Sequence, residues 1–339
     1  MKTAVIVVNY NTPDMVVTCL SALAQERAGL PGLRAIVVDN ASPDGSAAIL
    51  ATRLAEPAYA DWAEFMPLSL NGGFGWGNNQ AILKLLQGSD PPEAILLLNP
   101  DAVIEPGAVA ALVRDMAARP DAGAIGSQMI NPDGSLAGSA FRFPTVGSEF
   151  VRGLGIAGIG RLLGIRPTMV PFGEVGPVEW LTGASVLLRA AALRQCGLFD
   201  TGFFLYFEEV ELLRRFTARG WKCYHCPGSR VLHVAGASTG VLDGSSRAGR
   251  VPPDYVFASR KRYFALTRGR AVALVAEFAW LAGATLGQVL GLFRRKWRSA
   301  DVGRERAALL RLGLSVPGSA ASPAICPIDE IPGQRPAWM

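Results

Sequence analysis

Histidine is nearly absent from this chain of 339 residues, which has only His225 and His233. Cysteine is also sparse, with five residues at 19, 196, 223, 226 and 326. An odd, scattered set in a chain this long argues against a disulfide framework and for a reducing compartment. Cys223-Tyr-His-Cys226 has the spacing of half a zinc site. No second pair completes it, so these read as core and turn residues. Charged residues make up 18% of the chain, with a net charge of +5. That modest surplus suits a phosphorylated ligand or a membrane surface. No nucleic-acid-binding module is present, which sets nucleic acid aside. The first apolar run, Ala4–Val8, is too short for a signal peptide and lacks a small-residue cleavage site. A cytoplasmic protein is therefore expected.

Half of the residues are hydrophobic, enough for a sizeable core in one large or two small domains. The most informative apolar run is Ala94-Ile-Leu-Leu-Leu98, followed by Asn99-Pro-Asp101. A short continuous run of this kind predicts a strand buried on both faces. Pro100 ends it, because it cannot donate to a ladder. Asp101 then lies just past the carboxyl end of a central strand, where open α/β sheets bind ligands. A carboxylate held there can take a divalent metal through hard oxygen, although Asn-Pro-Asp is also an ordinary turn sequence.

Other runs repeat the pattern. Ala4–Val8 and Ala35–Asp39 read as strands ending in polar turns, Asn9-Tyr-Asn-Thr-Pro13 and Asn40–Pro43. Thr12 or Asp14 would cap the helix between them, with Pro13 in its first turn. Strand–helix–strand units of this kind open a parallel α/β sheet. Phe65–Leu68 reads as a third strand. Asn71–Asn79 reads as a glycine-rich loop whose amides can approach a phosphate or ribose, before a helix through Leu86. Its position and spacing do not fit a dinucleotide fingerprint. Ala122–Ile130 is a further strand, and residues 141–179 read as a mobile loop region over the site. Trp180–Leu188 reads as one strand, with Gly183 marking a close approach.

Phe203–Phe216 delivers Glu208, Glu209 and Glu211 to the first turn of a helix behind an aromatic run. Acids there suit the helix dipole, but an apolar surround would also raise a carboxylate's pKa toward that of a general base. Glu208 and Glu211 share a helix face and Glu209 points about 100° away, so the three need not do one job. Val231–His233 ends another strand, where the imidazole could ligate a metal. Arg260-Lys-Arg262 could reach a phosphate. Ala271–Phe293 is almost wholly apolar, with a Gly283/Gly287/Gly291 ladder and Arg294–Arg298 beyond. It reads either as a helix packed on the protein or as one lying on an anionic membrane. The segment from Ser315 reads as a disordered tail.

Taken together, eight segments of residues 3–240 resemble the inverting glycosyltransferases of family 2, and among them the bacterial rhamnosyltransferases. They are Val7–Thr12, Val37–Ser42, Asn71–Asn79, Leu97–Asp101, Arg142–Pro144, Trp180–Ala184, Phe203–Glu211 and Val231–His233. The resemblance implies a GT-A α/β fold with a mixed, mainly parallel sheet flanked by helices. Residues 1–240 would form the catalytic domain, 241–312 a helical appendage able to associate with a membrane, and 313–339 the tail. It implies donor binding by Asn9, Tyr10, Asn11, Asp39, Asn71, Gly72, Gly73, Asn99 and Asp101. Trp180, Gly183 and Glu208 would lie on the acceptor side. Asp101, with His233, would hold Mg²⁺ or Mn²⁺, and Glu209 would be the catalytic base. Asn99 stands where the family's metal motif has its first Asp, and Glu209 where the base is usually Asp. The implied reaction moves a sugar from a dTDP- or UDP-sugar, dTDP-rhamnose by resemblance, to a glycan or lipid-linked acceptor in cell-envelope polysaccharide synthesis. The enzyme would sit in the cytoplasm or on the inner face of the membrane. Asp39 cannot distinguish thymine from uracil, since both present the same N3–H. Two rivals are a catalytically silent nucleotide-sugar-binding or scaffold protein, and a nucleotidyltransferase, which would need a glycine- and basic-rich loop after the first strand.

Overall fold

A computed structural model of the chain describes residues 1–172, 176–233, 253–292, 306–307, 309, 316 and 318–339. Sequence features at 236–239 and Arg294–Arg298, and the 240/241 and 312/313 boundaries, lie outside the described residues.

The first half alternates strand and helix. β1 (Thr3–Asn9), α1 (Pro13–Glu26), β2 (Arg34–Asp39), α2 (Ser46–Leu54), β3 (Ala63–Pro67), α3 (Phe74–Gln87) and β4 (Ala94–Leu98) build a parallel sheet in the order β3-β2-β1-β4. β5 (Ala102–Ile104), α4 (Ala108–Ala118) and β6 (Ala122–Ile130) follow. The sheet continues through β10 (Ser185–Arg189), antiparallel to both β4 and β6. β1 shows why both faces are apolar: Val5 and Val7 enter the core under α1 and α4, while Ala4 and Ile6 enter the core under α3. Strand side chains alternate in this way between faces.

Beyond β6 the chain makes β7 (Ala140–Phe141), α5 (Val146–Leu154), α6 (Ala157–Leu162), β8 (Pro177–Val178), β9 (Trp180–Leu181), β10 (Ser185–Arg189) and α7 (Ala190–Cys196). Two expectations fail here. Residues 141–179 are not a plain loop, because they carry two helices. Trp180–Leu188 is not one strand: β9 pairs with β7 in a separate ribbon, and only β10 joins the main sheet. The break falls at Thr182–Ala184, where Ala184 turns its carbonyl to the Asn99 amide (2.9 Å).

α8 (Glu208–Ala218), β11 (Lys222–His233), α9 (Asp254–Arg268) and α10 (Arg270–Leu292) complete the described elements, apart from a single 3₁₀ turn at Gly318–Ala321. β11 runs parallel to β6 and antiparallel to β5, with a bulge between Cys226 and Arg230. Cys223 and Cys226 are buried on β11, and burial pushes their thiols up to about 12 and about 11. They are thiols of the core, as the missing second pair implied.

α10 is the one described helix long and apolar enough to cross a membrane. One face is committed to the protein. A Cβ on Gly283 would lie 2.1 Å from the Phe150 carbonyl, and one on Gly287 2.6 Å from that of Leu154. The glycine ladder therefore seats α10 directly on α5. The other face leaves Val275, Phe278, Leu286 and Val289 exposed.

Arg260 and Arg262 do not wait for a phosphate. Arg260 binds Glu277 of α10 through two hydrogen bonds from Nη2 (3.0 and 3.1 Å), and Arg262 binds Asp200 (2.6 Å). Nor are residues 318–339 disordered. Leu198 donates to the Cys326 carbonyl (2.9 Å), Trp76 to that of Gln334 (2.8 Å) and Trp338 to that of Gly72 (2.9 Å). A polar composition rich in small residues does not exclude order where such partners exist.

Candidate active site

The carboxyl ends of β1, β2 and β4 meet the start of β10 and the end of β11 at one edge of the sheet. Strand register makes this meeting: Asn9 pairs with Asp39, Leu98 with Ser185, and His233 with Ala102 beside Asp101. A cavity of about 350 Å³ opens there. Tyr10, Asn71, Gly73, Asn99, Asp101 and His233 line it, all singled out in the sequence. Asn40, Phe204, Tyr206 and Tyr255 also line it and were not assigned to it. Tyr255 had no sequence signal; it arrives from α9, packed edge-on to Phe204 at 5.2 Å.

Asn9 and Asp39 lie beneath this cavity rather than on its wall. The Asn9 amide donates to Asp39 Oδ1 (2.7 Å), and Asn9 Oδ1 accepts from the Thr12 amide (3.1 Å) and hydroxyl (3.0 Å). Thr12 therefore spends its hydroxyl on Asn9 instead of capping α1. Ser42 donates to Asp39 through both its amide and its hydroxyl. Asn11 takes a left-handed φ of 59° and donates its amide to Ser42 Oγ (3.0 Å). The set holds the β1 and β2 turns in register.

The glycine-rich segment is shorter than expected, because α3 already begins at Phe74. Gly73 has φ +91°, and a Cβ on it would lie 1.9 Å from the Phe204 carbonyl. A Cβ on Gly72 would strike the Trp76 ring. Asn71 Oδ1 accepts from the Gly73 amide (3.0 Å) and from Asn40 (2.9 Å). The loop is shaped by its neighbours, and only a residue without a side chain fits.

A second cavity, about 640 Å³, lies on the other side of Tyr206, which lines both. Trp180 and Glu209 line it. Tyr206 and Phe207 both have φ of +69°. Left-handed backbone at two consecutive bulky residues costs roughly 1 kcal/mol or more at each. That turn aims the first residues of α8.

Glu208, expected on the acceptor side, goes elsewhere: it is buried, its Cγ close to where a Gly75 Cβ would stand (3.4 Å), and does not line the larger cavity. Glu209 does. Its Oε2 is shielded from solvent and has no hydrogen-bond partner among the described residues. Burial pushes its carboxyl up to about 7, against the pull of the Glu209 and Val210 amides. Burial and the neighbouring Glu209 charge also raise Glu208. Gly183 backs this point, since a Cβ there would sit 3.4 Å from Phe74 and 3.8 Å from the Glu209 Cβ. Glu211 is structural, paired with Arg215 (2.7 Å).

His233 Nε2 and Asp101 Oδ1 are 3.3 Å apart. That nitrogen is buried without a well-aligned hydrogen bond among the described residues. A carboxylate and an adjacent buried imidazole nitrogen are a donor pair that a divalent cation fits. Among the described residues no third His, Cys, Asp or Glu joins them, so further ligands would come from a substrate.

The sheet, with its antiparallel β10 and paired cavities at the strand ends, is a GT-A architecture. At the level of fold it resembles a mannosyltransferase from Pyrobaculum calidifontis solved with GDP-mannose and Mn²⁺ (TM-score 0.51, 16% identity, covering 91% of this chain and 86% of that one). Residues 4–150 match the family described as "Glycosyl transferase family 2". An N-acetylglucosaminyl-diphospho-decaprenol L-rhamnosyltransferase from Mycobacterium tuberculosis is 30% identical over 66% of this chain and 73% of its own. The rhamnosyltransferase WbbL of Escherichia coli is 25% identical over 48% and 61%. The chain belongs to glycosyl transferase family 2 and is a glycosyltransferase.

Proposed function

We propose that this enzyme transfers rhamnose from dTDP-rhamnose, with inversion, to a sugar carried on a lipid diphosphate. The observation that carries the reading is Glu209. Its side chain lines the larger cavity and carries a buried carboxylate oxygen with no hydrogen-bond partner among the described residues, across Tyr206 from the smaller cavity that Asp101 and His233 line. The donor occupies the smaller cavity and the acceptor the larger. Glu209 accepts the proton of the acceptor hydroxyl as that oxygen bonds to the anomeric carbon. The bond from that carbon to the phosphate oxygen breaks on the opposite face, and the nucleoside diphosphate leaves. Tyr10, Asn71 and the Gly73 loop orient the donor. Asp101 and His233 would hold Mg²⁺ or Mn²⁺, which supplies positive charge to the departing diphosphate. The sugar and the lipid-linked acceptor follow the names of the relatives, and the donor nucleotide follows the family resemblance.

The test is nucleoside diphosphate release from a panel of dTDP- and UDP-sugars with a GlcNAc-diphosphate lipid, in Mg²⁺, Mn²⁺ or EDTA. Release from dTDP-rhamnose alone, with an inverted product by NMR, is expected. Asp101→Ala should weaken metal-dependent donor binding about 10–100-fold. A different preferred donor, or an unaltered affinity in EDTA, would defeat the corresponding part.

The same reading places α10 at the membrane surface, apolar face down. Val275, Phe278, Leu286 and Val289 recur at helical spacing on its exposed side. Phe278→Glu should cut binding to anionic vesicles in a flotation assay several-fold, while soluble donor binding is unchanged. Equal flotation of both proteins would remove α10 from the membrane.

A further inference from the structure

The larger cavity is more than room beside Glu209. Its wall is chiefly apolar, including Val151, Ile165, Phe207, Val256 and Phe257. Five side chains on it are ionisable at ordinary pH: Glu149, Arg152, Glu209, Arg260 and Arg166. Two of the three arginines are committed. Arg152 pairs with Glu149 (2.9 Å) and Arg260 with Glu277 (3.0 Å), while Glu149 also lies 3.7 Å from Arg260. Arg166 stands apart, on an exposed stretch of chain, and makes no ion pair among the described residues. Among the described residues, the cavity thus combines an apolar wall, one uncommitted cation and a buried carboxylate oxygen without a partner.

The segment from Gly160 to Phe172 carries both halves of this arrangement. Gly160, Ile165, Arg166, Pro167 and Thr168 line the cavity. Leu162, Leu163, Met169 and Phe172 of the same segment are exposed, Leu162 at 85%. Isolated exposed apolar residues need no explanation. Four within eleven positions, on the segment that also forms a cavity wall, mark an apolar rim.

We propose that this cavity binds the diphosphate-linked portion of an amphiphilic acceptor, with Arg166 as its phosphate ligand and the 160–172 segment as the rim over which the lipid chain leaves. This rests on the transferase reading above and names residues for it. The acceptor sugar lies toward Glu209, the diphosphate meets Arg166, and the aliphatic chain follows the apolar wall out past Leu162 and Leu163. The placement of the charges decides the polarity. Arg152 and Arg260 are offset by Glu149 and Glu277, and Glu209 lies toward the acceptor sugar, so Arg166 is the cation left to meet an anion in preference to a neutral glycan.

The experiment compares two acceptors with the same ten-carbon chain, a GlcNAc-diphosphate alkyl ester and a neutral alkyl GlcNAc glycoside. Arg166→Ala should raise KM for the diphosphate acceptor about tenfold or more, the scale of a lost charge-assisted contact. The neutral glycoside should show no such change, the donor KM should not move, and Arg166→Lys should recover part of the loss. Binding of the diphosphate ester is also followed directly by calorimetry, without donor. An Arg166-dependent affinity with no rhamnosyl transfer would overturn the transferase reading and leave the anion site standing. Equal affinity of both proteins for the diphosphate ester, or equal losses with both acceptors, would overturn the site. A preference for the neutral glycoside would identify a glycan acceptor instead.

Discussion

Glu209→Gln is expected to lower the transfer rate by about 10²–10⁴-fold, the range of a positioned general base. Glutamine keeps the size and hydrogen-bonding reach of the side chain but cannot take a proton. Donor binding should be unchanged, because the donor cavity lies across Tyr206 and its lining does not include Glu209. Glu209→Asp keeps the base and draws it back by one methylene, so part of the rate should survive. The pH dependence follows from burial. The ionised form is the active one, and desolvation pushes its pKa up to about 7. As the pH falls below about 7, the ionised fraction and the rate should fall toward tenfold per unit. Above it the rate should level off. A Glu209→Gln enzyme within a few-fold of the parent would show that another group takes the proton. A flat profile between pH 5 and 8 would show that Glu209 is not titrating in the rate-limiting step.

Much of the site was legible because it is built from local signals. The apolar run of β4 ended by Pro100 placed Asp101 at a sheet edge, and acids behind an aromatic run placed Glu209 on a first helical turn. Both are properties of a few consecutive residues. The rest depends on contacts distant in sequence. Trp338 donates to Gly72, 266 positions away, and no composition rule finds that pair. Tyr206 and Phe207 favour right-handed or extended backbone by themselves, so their left-handed turn is imposed by packing. Trp180–Leu188 has strand character throughout, yet is cut at Gly183, where a Cβ would meet Phe74 and Glu209 only at ordinary contact distances. The glycine there reads as a mark of close approach, and the break of the strand is not read from it. Arg260 and Arg262 form a basic cluster in sequence, while in space their carboxylate partners come from α10 and the segment before α8. A charge run shows only half of each ion pair.

Arg262→Ala should destabilise the fold by about 3 kcal/mol, toward the lower end of the cost of breaking a buried ion pair. The low end applies because Asp200 keeps two other partners, the amides of Gly202 and Ala324, both at 2.8 Å. Those amides also explain why an apolar pair could not replace the two charges, since both donors would be left buried and unpaired. Arg262 does more than neutralise Asp200. It donates to the carbonyls of Ser319 (2.9 Å) and Ser322 (2.8 Å), tying α9 to the C-terminal segment. Arg262→Lys restores the charge without the planar fork that reaches all three acceptors, and should recover only part of the loss. The same segment ends at Trp338, which holds the Gly72 carbonyl and packs edge-on to Phe204 at 4.8 Å. Phe204 and Gly73 line the donor cavity. Loosening the segment should therefore raise the donor KM more than it lowers kcat, while base chemistry at Glu209 continues. Urea unfolding reads the first effect and donor titration the second. An unchanged unfolding midpoint would show that the pair contributes nothing net. A lowered midpoint with unchanged donor KM would show that the C-terminal segment holds its place at Gly72 without help from Arg262.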